Sequence, residues 1–179
     1  MEIINTIIIA LWLMLPAFLA NMAPAIITHI SGTGKPLDGG KYIGNNRILG
    51  DGKTIRGLIA GIITGITMAL IQNMLAEYLN MPLFSIIAMI TLPLGTLSGD
   101  IAGSFIKRRI NIERGKALPL VDQLDFVTGA WLFTLIFDYK WFINYFTLPI
   151  IIAIIIITPL FHWLFNIIGY KLGVCKEPW

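Results

Sequence analysis

Three carboxylates, Asp100, Asp122 and Asp125, share one stretch, GDIAGSFIKRRINIERGKALPLVDQLD, with Lys107, Arg108, Arg109, Arg114 and Lys116. Membrane-length apolar runs flank this stretch. A carboxylate in hydrocarbon is expensive and marks a functional position. Asp100 precedes Lys107 by seven residues, about 10 Å deeper along a helix. Asp122 and Asp125 are three apart, so a helix places them on one face. Acids facing Lys and Arg at a membrane edge suit metal-and-phosphate chemistry. Carboxylate oxygens are ligands for Mg²⁺, while ammonium and guanidinium groups hold phosphate. A purely structural use also exists for Asp122 and Asp125, as caps at a helix N-terminus.

The elements that must position these residues are membrane helices. The chain has 179 residues, 56% hydrophobic and 13% charged, with mean hydropathy +0.80, which leaves too little polar surface for a water-soluble fold. The expected fold is all-α and polytopic, a single transmembrane domain over 1–179. Five runs are long enough to cross, at about 3–30, 55–79, 83–106, 124–146 and 148–170. Asp138 and Lys140 interrupt the far end of the fourth, beside an aromatic belt from Tyr139 to Phe146. Glu2 and the length of the first run make it a retained anchor, not a cleaved signal. All thirteen Lys and Arg except Lys140 fall in two loops, about 31–56 and 107–123, or in the C-terminal tail. The positive-inside rule puts these in the cytoplasm and the N-terminus outside. The expected location is the cell membrane, with the site on its cytoplasmic side and no nucleic-acid partner. A single cysteine, Cys175, excludes an intrachain disulfide.

Two small-residue ladders, Gly57-Gly61-Gly65 and Gly95-Gly99-Gly103, predict close helix packing, on each other or across a homodimer. Pro16, Pro24 and Pro159 predict kinks within helices. The first loop, SGTGKPLDGGKYIGNNRILGDGKTIRG, is the only long polar stretch. Its glycines, including Gly34, allow successive amides to turn toward an anion, and Lys35, Lys41, Arg47, Lys53 and Arg56 add positive charge. Orientation alone would demand the basic residues but not the glycines, Asp38, Asp51 or the pair Asn45–Asn46. GDGKT lacks the full phosphate-loop spacing of nucleoside triphosphatases and no strand precedes it. His29 reads as interfacial, and His162 as hydrogen-bonded packing within the last span.

Asp100, Ser104, Lys107 and Arg108 form one stripe leaving the third span. Ser104-x-x-Lys107-Arg108, then Lys116, Pro119 and Asp122-x-x-Asp125, resembles the signature of the CDP-diacylglycerol synthases, the membrane CTP:phosphatidate cytidylyltransferases. The gap from Arg108 to Lys116 is longer than in that pattern, and Ala117–Val121 replaces its glycine-rich end. The short length, five spans and the strings GTGKPLDGG and GDGKTIRG are similar to the archaeal branch, the CDP-archaeol synthases.

The resemblance implies a Mg²⁺-dependent reaction of CTP with a lipid phosphate, giving CDP-lipid and pyrophosphate in phospholipid synthesis. The lipid would be 2,3-bis-O-geranylgeranyl-sn-glycerol 1-phosphate or, alternatively, a diacyl phosphatidate. It assigns Lys107, Arg108, Lys116, Asp122 and Asp125 to catalysis and Asp100, Asp122 and Asp125 to metal. Gly34, Lys35, Asp38, Asn45, Asn46, Arg47, Asp51, Lys53, Thr54, Arg56 and Ser104 would bind nucleotide or phosphate, with Asn45 or Asn46 at the cytosine edge. Grooves between helices would take the lipid chains. A small transporter would need a second intramembrane polar cluster. A non-enzymatic lipid-binding protein would leave the three acids unexplained. The CDP-alcohol phosphotransferase series DGxxAR…GxxxDxxxD does not occur here.

Overall fold

A computed structural model describes residues 2–112, 118, 121–171 and 173. Its helices are α1 (Glu2–Ser31), α2 (Ile55–Leu79), α3 (Ile86–Arg109), α4 (Val121–Phe137), α5 (Tyr139–Tyr145) and α6 (Leu148–Lys171). A two-stranded ribbon, β1 (Tyr42–Ile43) and β2 (Asn46–Arg47), lies in the loop between α1 and α2. Four helices, α1, α2, α3 and α6, are long and apolar enough to cross a membrane. The chain is therefore a polytopic helical membrane protein. The fourth expected run is divided: α4 has 17 residues and α5 has 7, with Asp138 between them. Asp138 leaves helical geometry at φ −142° and ψ 58°, and its carboxylate accepts the Ser85 hydroxyl. A charged side chain in that run is held by leaving the helix to meet a donor.

Local chemistry explains the ends. Thr54 Oγ1 accepts the Gly57 amide at 3.1 Å, and Ser85 Oγ accepts the Ala88 amide at 2.9 Å, which satisfies donors at the starts of α2 and α3. Asn80 ends α2 at φ 51°, a left-handed position that asparagine tolerates. Helix α1 runs continuously through Pro16 and Pro24.

The two glycine ladders face other partners than each other. A Cβ at Gly61 would sit 2.7 Å from the Ala20 carbonyl and 2.9 Å from Leu97, and one at Gly65 would meet Pro93 and Pro16. The first ladder thus seats α2 against α1 and α3. The second seats α3 against α4: a Cβ at Gly95 would overlap the Gly129 carbonyl, and one at Gly99 or Gly103 would overlap Asp125. Van der Waals packing of small residues drives such crossings where lipid removes the hydrophobic incentive.

Leu13, Met14 and Ala17 of α1, Leu92 of α3, Phe126 and Val127 of α4 and Ile154 of α6 form the buried centre. Ile63, Met74, Ile86, Ile136 and Ile156 lie on the outer surface, which hydrocarbon can cover. At one end, the 81–85 connection is tied down by side chains from three directions. Trp12 Nε1 donates to the Pro82 carbonyl at 2.9 Å, and Trp141 Nε1 to that of Leu83 at 2.8 Å. The Asn73 amide pairs with both backbone groups of Phe84 at 2.8 Å. The other end carries the charged loops.

Candidate active site

The loop from Gly32 to Lys53 closes on itself before it reaches the helices. Leu37 N donates to the Lys53 carbonyl at 2.7 Å and Ile55 N to that of Lys35 at 3.0 Å, with Pro36 bridged to Thr54. Gly34 fits into this neck, where a Cβ would lie 3.2 Å from that of Arg56. Arg56 Nη1 donates to the Ser31 carbonyl and hydroxyl at 2.9 and 3.0 Å, tying α2 to the end of α1. Beyond the neck, Gly44 takes φ +60° at the first central position of the two-residue hairpin turn, where a side chain would be strained.

Asp38 organises this loop from within. Its buried carboxylate accepts the Gly40, Leu49 and Gly50 amides, each at 3.0 Å, and the Arg47 fork at 2.7 and 3.2 Å. Arg47 also reaches Asp51 at 2.8 Å. The Arg47 hydrogen bonds, opposed by burial and aided by the Gly50, Leu49 and Gly40 amides, hold the Asp38 carboxyl well below the usual carboxylate range. Asp38, Arg47 and Thr54 were expected among the phosphate contacts; the structure gives all three internal partners.

The loop is docked on the end of α3. Arg109 Nη1 donates to the Ile43 carbonyl at 3.1 Å and Nη2 to that of Arg47 at 2.8 Å, with its guanidinium 5.4 Å from the Phe105 ring. Arg108 Nε reaches the Leu49 carbonyl at 3.5 Å, and its Nη1 donates to the Ile112 carbonyl. Asn46 Nδ2 lies 2.6 Å from Asn111 Oδ1, while Asn45 is exposed at the turn.

Beneath this cover, two lysines meet two of the acids. Lys53 Nζ is 2.6 Å from Asp100 Oδ2, and Lys107 Nζ is 2.8 Å from Asp122 Oδ1. All four side chains are only 16–24% exposed, so these charges are partly withdrawn from solvent and their attraction is stronger than at an open surface. Asp122 Oδ2 also accepts the Leu118 amide at 2.8 Å. Asp125 forms no ion pair among the described residues. Its Oδ1 accepts the Phe126 amide at 2.6 Å, and its Oδ2 lies over Gly103. Asp100, Asp122 and Lys53 are all close enough to act on its charge. Ser104 is buried on α3, four residues after Asp100. Lys35 is held through its backbone carbonyl in the neck. Lys116 and Pro119 lie outside the described residues.

Sequence reading missed one contributor. Arg109 enters the sequence reading only as one basic charge among several, yet it clamps the hairpin. His162 is hydrogen-bonded within the last span, as expected, with Nδ1 3.2 Å from the Asn166 amide, and it also lies within electrostatic range of Asp122, Asp100 and Lys107. Phe18 makes edge contacts with both Phe126 and Phe161, which brings the α6 segment holding His162 to the level of Asp125. Its one available signal was the rarity of an ionisable residue inside a span.

Among the described residues, no three of His, Cys, Asp and Glu stand close enough together to hold a metal ion unaided. That arrangement still fits Mg²⁺, which takes one or two carboxylates plus substrate phosphates instead of a complete protein cage. Asp125, with no ion pair among the described residues and with Asp100 near enough to act on its charge, supplies the hard oxygen donors such an ion prefers. An apolar groove of about 330 Å³ runs along α1 from Ile8 to Met22, closed by Met81 and Phe161.

Residues 3–179 match the CarS-like family model, described as CDP-archaeol synthase. A CDP-archaeol synthase of Methanosarcina barkeri is 48% identical over 93% of this chain and 100% of its own length. One from Halobacterium salinarum is 43% identical over the whole of both chains. A solved structure described as an intramembrane enzyme for archaeal membrane lipids biosynthesis superposes with TM-score 0.69 at 36% identity, covering 88% of this chain and 92% of that one.

Proposed function

From the premise that the chain belongs to the CDP-archaeol synthase family, we propose how its residues carry out cytidylyl transfer to an archaeal lipid phosphate. The substrates are CTP and 2,3-bis-O-geranylgeranyl-sn-glycerol 1-phosphate; the products are CDP-lipid and pyrophosphate. The observation that carries this reading is the pairing of Lys53 with Asp100 and Lys107 with Asp122 around Asp125, which has no ion pair among the described residues. Two ammonium groups held by carboxylates, beside a third acid, are suited to a polyanion and its metal.

A lipid phosphate oxygen attacks the α-phosphorus of CTP, and the bond between the α- and β-phosphates breaks. The attacking group is already an anion, so no serine, cysteine or strong base is required. The obstacle is bringing two anions together, which fixed positive charge offsets. Lys53 and Lys107 would exchange their carboxylate partners for phosphate oxygens, Lys107 facing the departing pyrophosphate together with Lys116. Asp125 and Asp100 would hold Mg²⁺, with Asp122 adjoining them. The ion supplies charge neutralisation along the triphosphate. Asp38 and Arg47 keep the loop folded over the nucleotide, and Asn45 and Asn46 lie where a base can reach. The groove along α1 is apolar throughout, as an isoprenoid chain requires.

The same reading places α4 and α5 together as the fifth crossing, with both basic loops and the C-terminus in the cytoplasm, where CTP is found. The test uses purified protein with labelled CTP, Mg²⁺ and either the geranylgeranyl or the diacyl lipid phosphate. CDP-lipid and pyrophosphate should form together, faster with the isoprenoid lipid, and stop on chelation. Faster turnover of the diacyl lipid would remove the lipid assignment, and turnover in the presence of chelator would remove the metal.

A further inference from the structure

Between Leu148 and Ile168, α6 interrupts its apolar side chains with three polar ones, Thr158, His162 and Asn166. They stand four apart, so they form one stripe along the helix. Thr158 is 1% exposed, and its hydroxyl has no hydrogen-bond partner among the described residues. His162 and Asn166 follow it, both half-buried. An ionisable side chain inside a span is costly and marks a functional position. His162 also stands where two parts of the site meet. Phe161, next to it in the chain, closes the apolar groove along α1. Phe161 packs edge-on against Phe18 at 6.2 Å, and Phe18 against Phe126 at 5.9 Å, one residue after Asp125. Asp122, Asp100 and Lys107 are near enough to act on the charge of the imidazole.

We propose that His162, oriented by Asn166, binds the phosphate of the incoming lipid through Nε2. The proposal rests on the reading above that the groove takes the lipid chain and the charged end takes CTP. A lipid whose chain fills the groove and whose phosphate meets the charged end carries that phosphate past Phe161 to His162. Asn166 Nδ2 lies 3.2 Å from Nδ1, and Nε2 has no hydrogen-bond partner among the described residues. With the amide donating to Nδ1, Nε2 carries the ring proton and donates to a phosphate oxygen. With the roles reversed, Nε2 accepts from a phosphate hydroxyl. Either way, one ring nitrogen is fixed and the other is left for the substrate. An imidazole holds a phosphate through this bond without the permanent charge of a lysine, which would hold back the attacking oxygen. Lys53 and Lys107 are then left to the triphosphate.

The test measures binding of the geranylgeranyl lipid phosphate to the purified full chain in detergent, without CTP, beside the same lipid lacking its phosphate. His162→Asn keeps a polar group near the Nδ1 position and loses Nε2, whereas His162→Gln places an amide where Nε2 stood. His162→Asn should weaken binding of the lipid phosphate about tenfold or more, as loss of one hydrogen bond to a charged group does. It should leave binding of the phosphate-free lipid unchanged. His162→Gln should recover most of the loss. In turnover, His162→Asn should raise the KM for lipid phosphate and leave that for CTP in place. Asn166→Leu, which releases the ring, should weaken lipid-phosphate binding to a smaller degree and serves if His162→Asn does not fold. Equal loss for both lipids, unchanged affinity for the lipid phosphate in folded protein, or a raised KM for CTP alone would overturn the assignment. Unaltered protein that prefers the phosphorylated lipid yet forms no CDP-lipid would overturn the transfer reading, a separate failure.

Discussion

Asp125 is the acid whose surroundings most resemble a ligand waiting for a cation. Its carboxylate lies over Gly103 with no ion pair among the described residues, while Asp100 and Asp122 already face lysines. Asp125→Asn preserves shape and removes charge, and should lower kcat about 100-fold or more, as loss of a major electrostatic contributor does. Thermal melting in detergent should remain near that of the unaltered protein, because burial of a neutral amide costs less than burial of a charge. Melting lowered as much as activity would assign Asp125 a structural role instead. Gly103→Ala tests the same atom from the facing helix. The added Cβ overlaps Asp125 Oδ2, so the carboxylate must move and activity should fall. Combined with Asp125→Asn it should cost little more than either change alone, since both act through one group. Additive losses would separate Gly103 from the site.

At the scale of the element, the first loop is a folded unit centred on Asp38. Removing that side chain in Asp38→Ala leaves the buried Gly50 amide without a partner, at a cost of about 1–3 kcal/mol, and leaves Arg47 held by Asp51 alone of its two carboxylates. The CTP KM should rise and the thermal midpoint should fall, whereas substitution of exposed Lys41 should alter neither comparably. The pH dependence has a definite sign. A carboxyl held below its unfolded value of about 3.9 adds its full stability above that value and loses it as pH falls through the lower folded value. Proteolysis of this loop should therefore stay slow down to about pH 4 and accelerate only in stronger acid. Acceleration between pH 6 and 5 would point to another group as the loop's organiser.

For the whole molecule, the proposed orientation rests on the charge distribution. Single cysteines placed at Lys41 or Arg114, with Cys175 replaced by Ser, should react with a membrane-impermeant maleimide only after the cells are opened. A cysteine at Lys140 should react in intact cells. This follows from basic loops remaining in the cytoplasm, and the reverse labelling pattern would invert the molecule. The labelling also tests the fifth crossing, because α4 and α5 must together traverse the bilayer to put Lys140 opposite Arg114. The 81–85 connection, tied by Trp12, Asn73, Ser85 and Trp141, would then lie at the surface away from the cytoplasm.

Sequence by itself determined the membrane class, the bounds of α2 and α6 almost to the residue, the charged loops and the positions of the acids that those loops bring together. These follow from hydropathy, charge and helical spacing, which are properties of neighbouring residues. The interruption near Asp138 was also visible, because a charge within an apolar run is a local signal. Tertiary structure decided the rest. It chose Lys53 as partner of Asp100 across 47 positions, and Arg109 as the clamp on a hairpin 62 to 66 positions away. It turned Asp38 inward, set α3 against Gly129 of α4, and brought His162 toward the acids. Such contacts leave no periodic trace in the chain. They depend on which helix faces which and how closely, and small-residue ladders show that helices approach without naming the helix they approach.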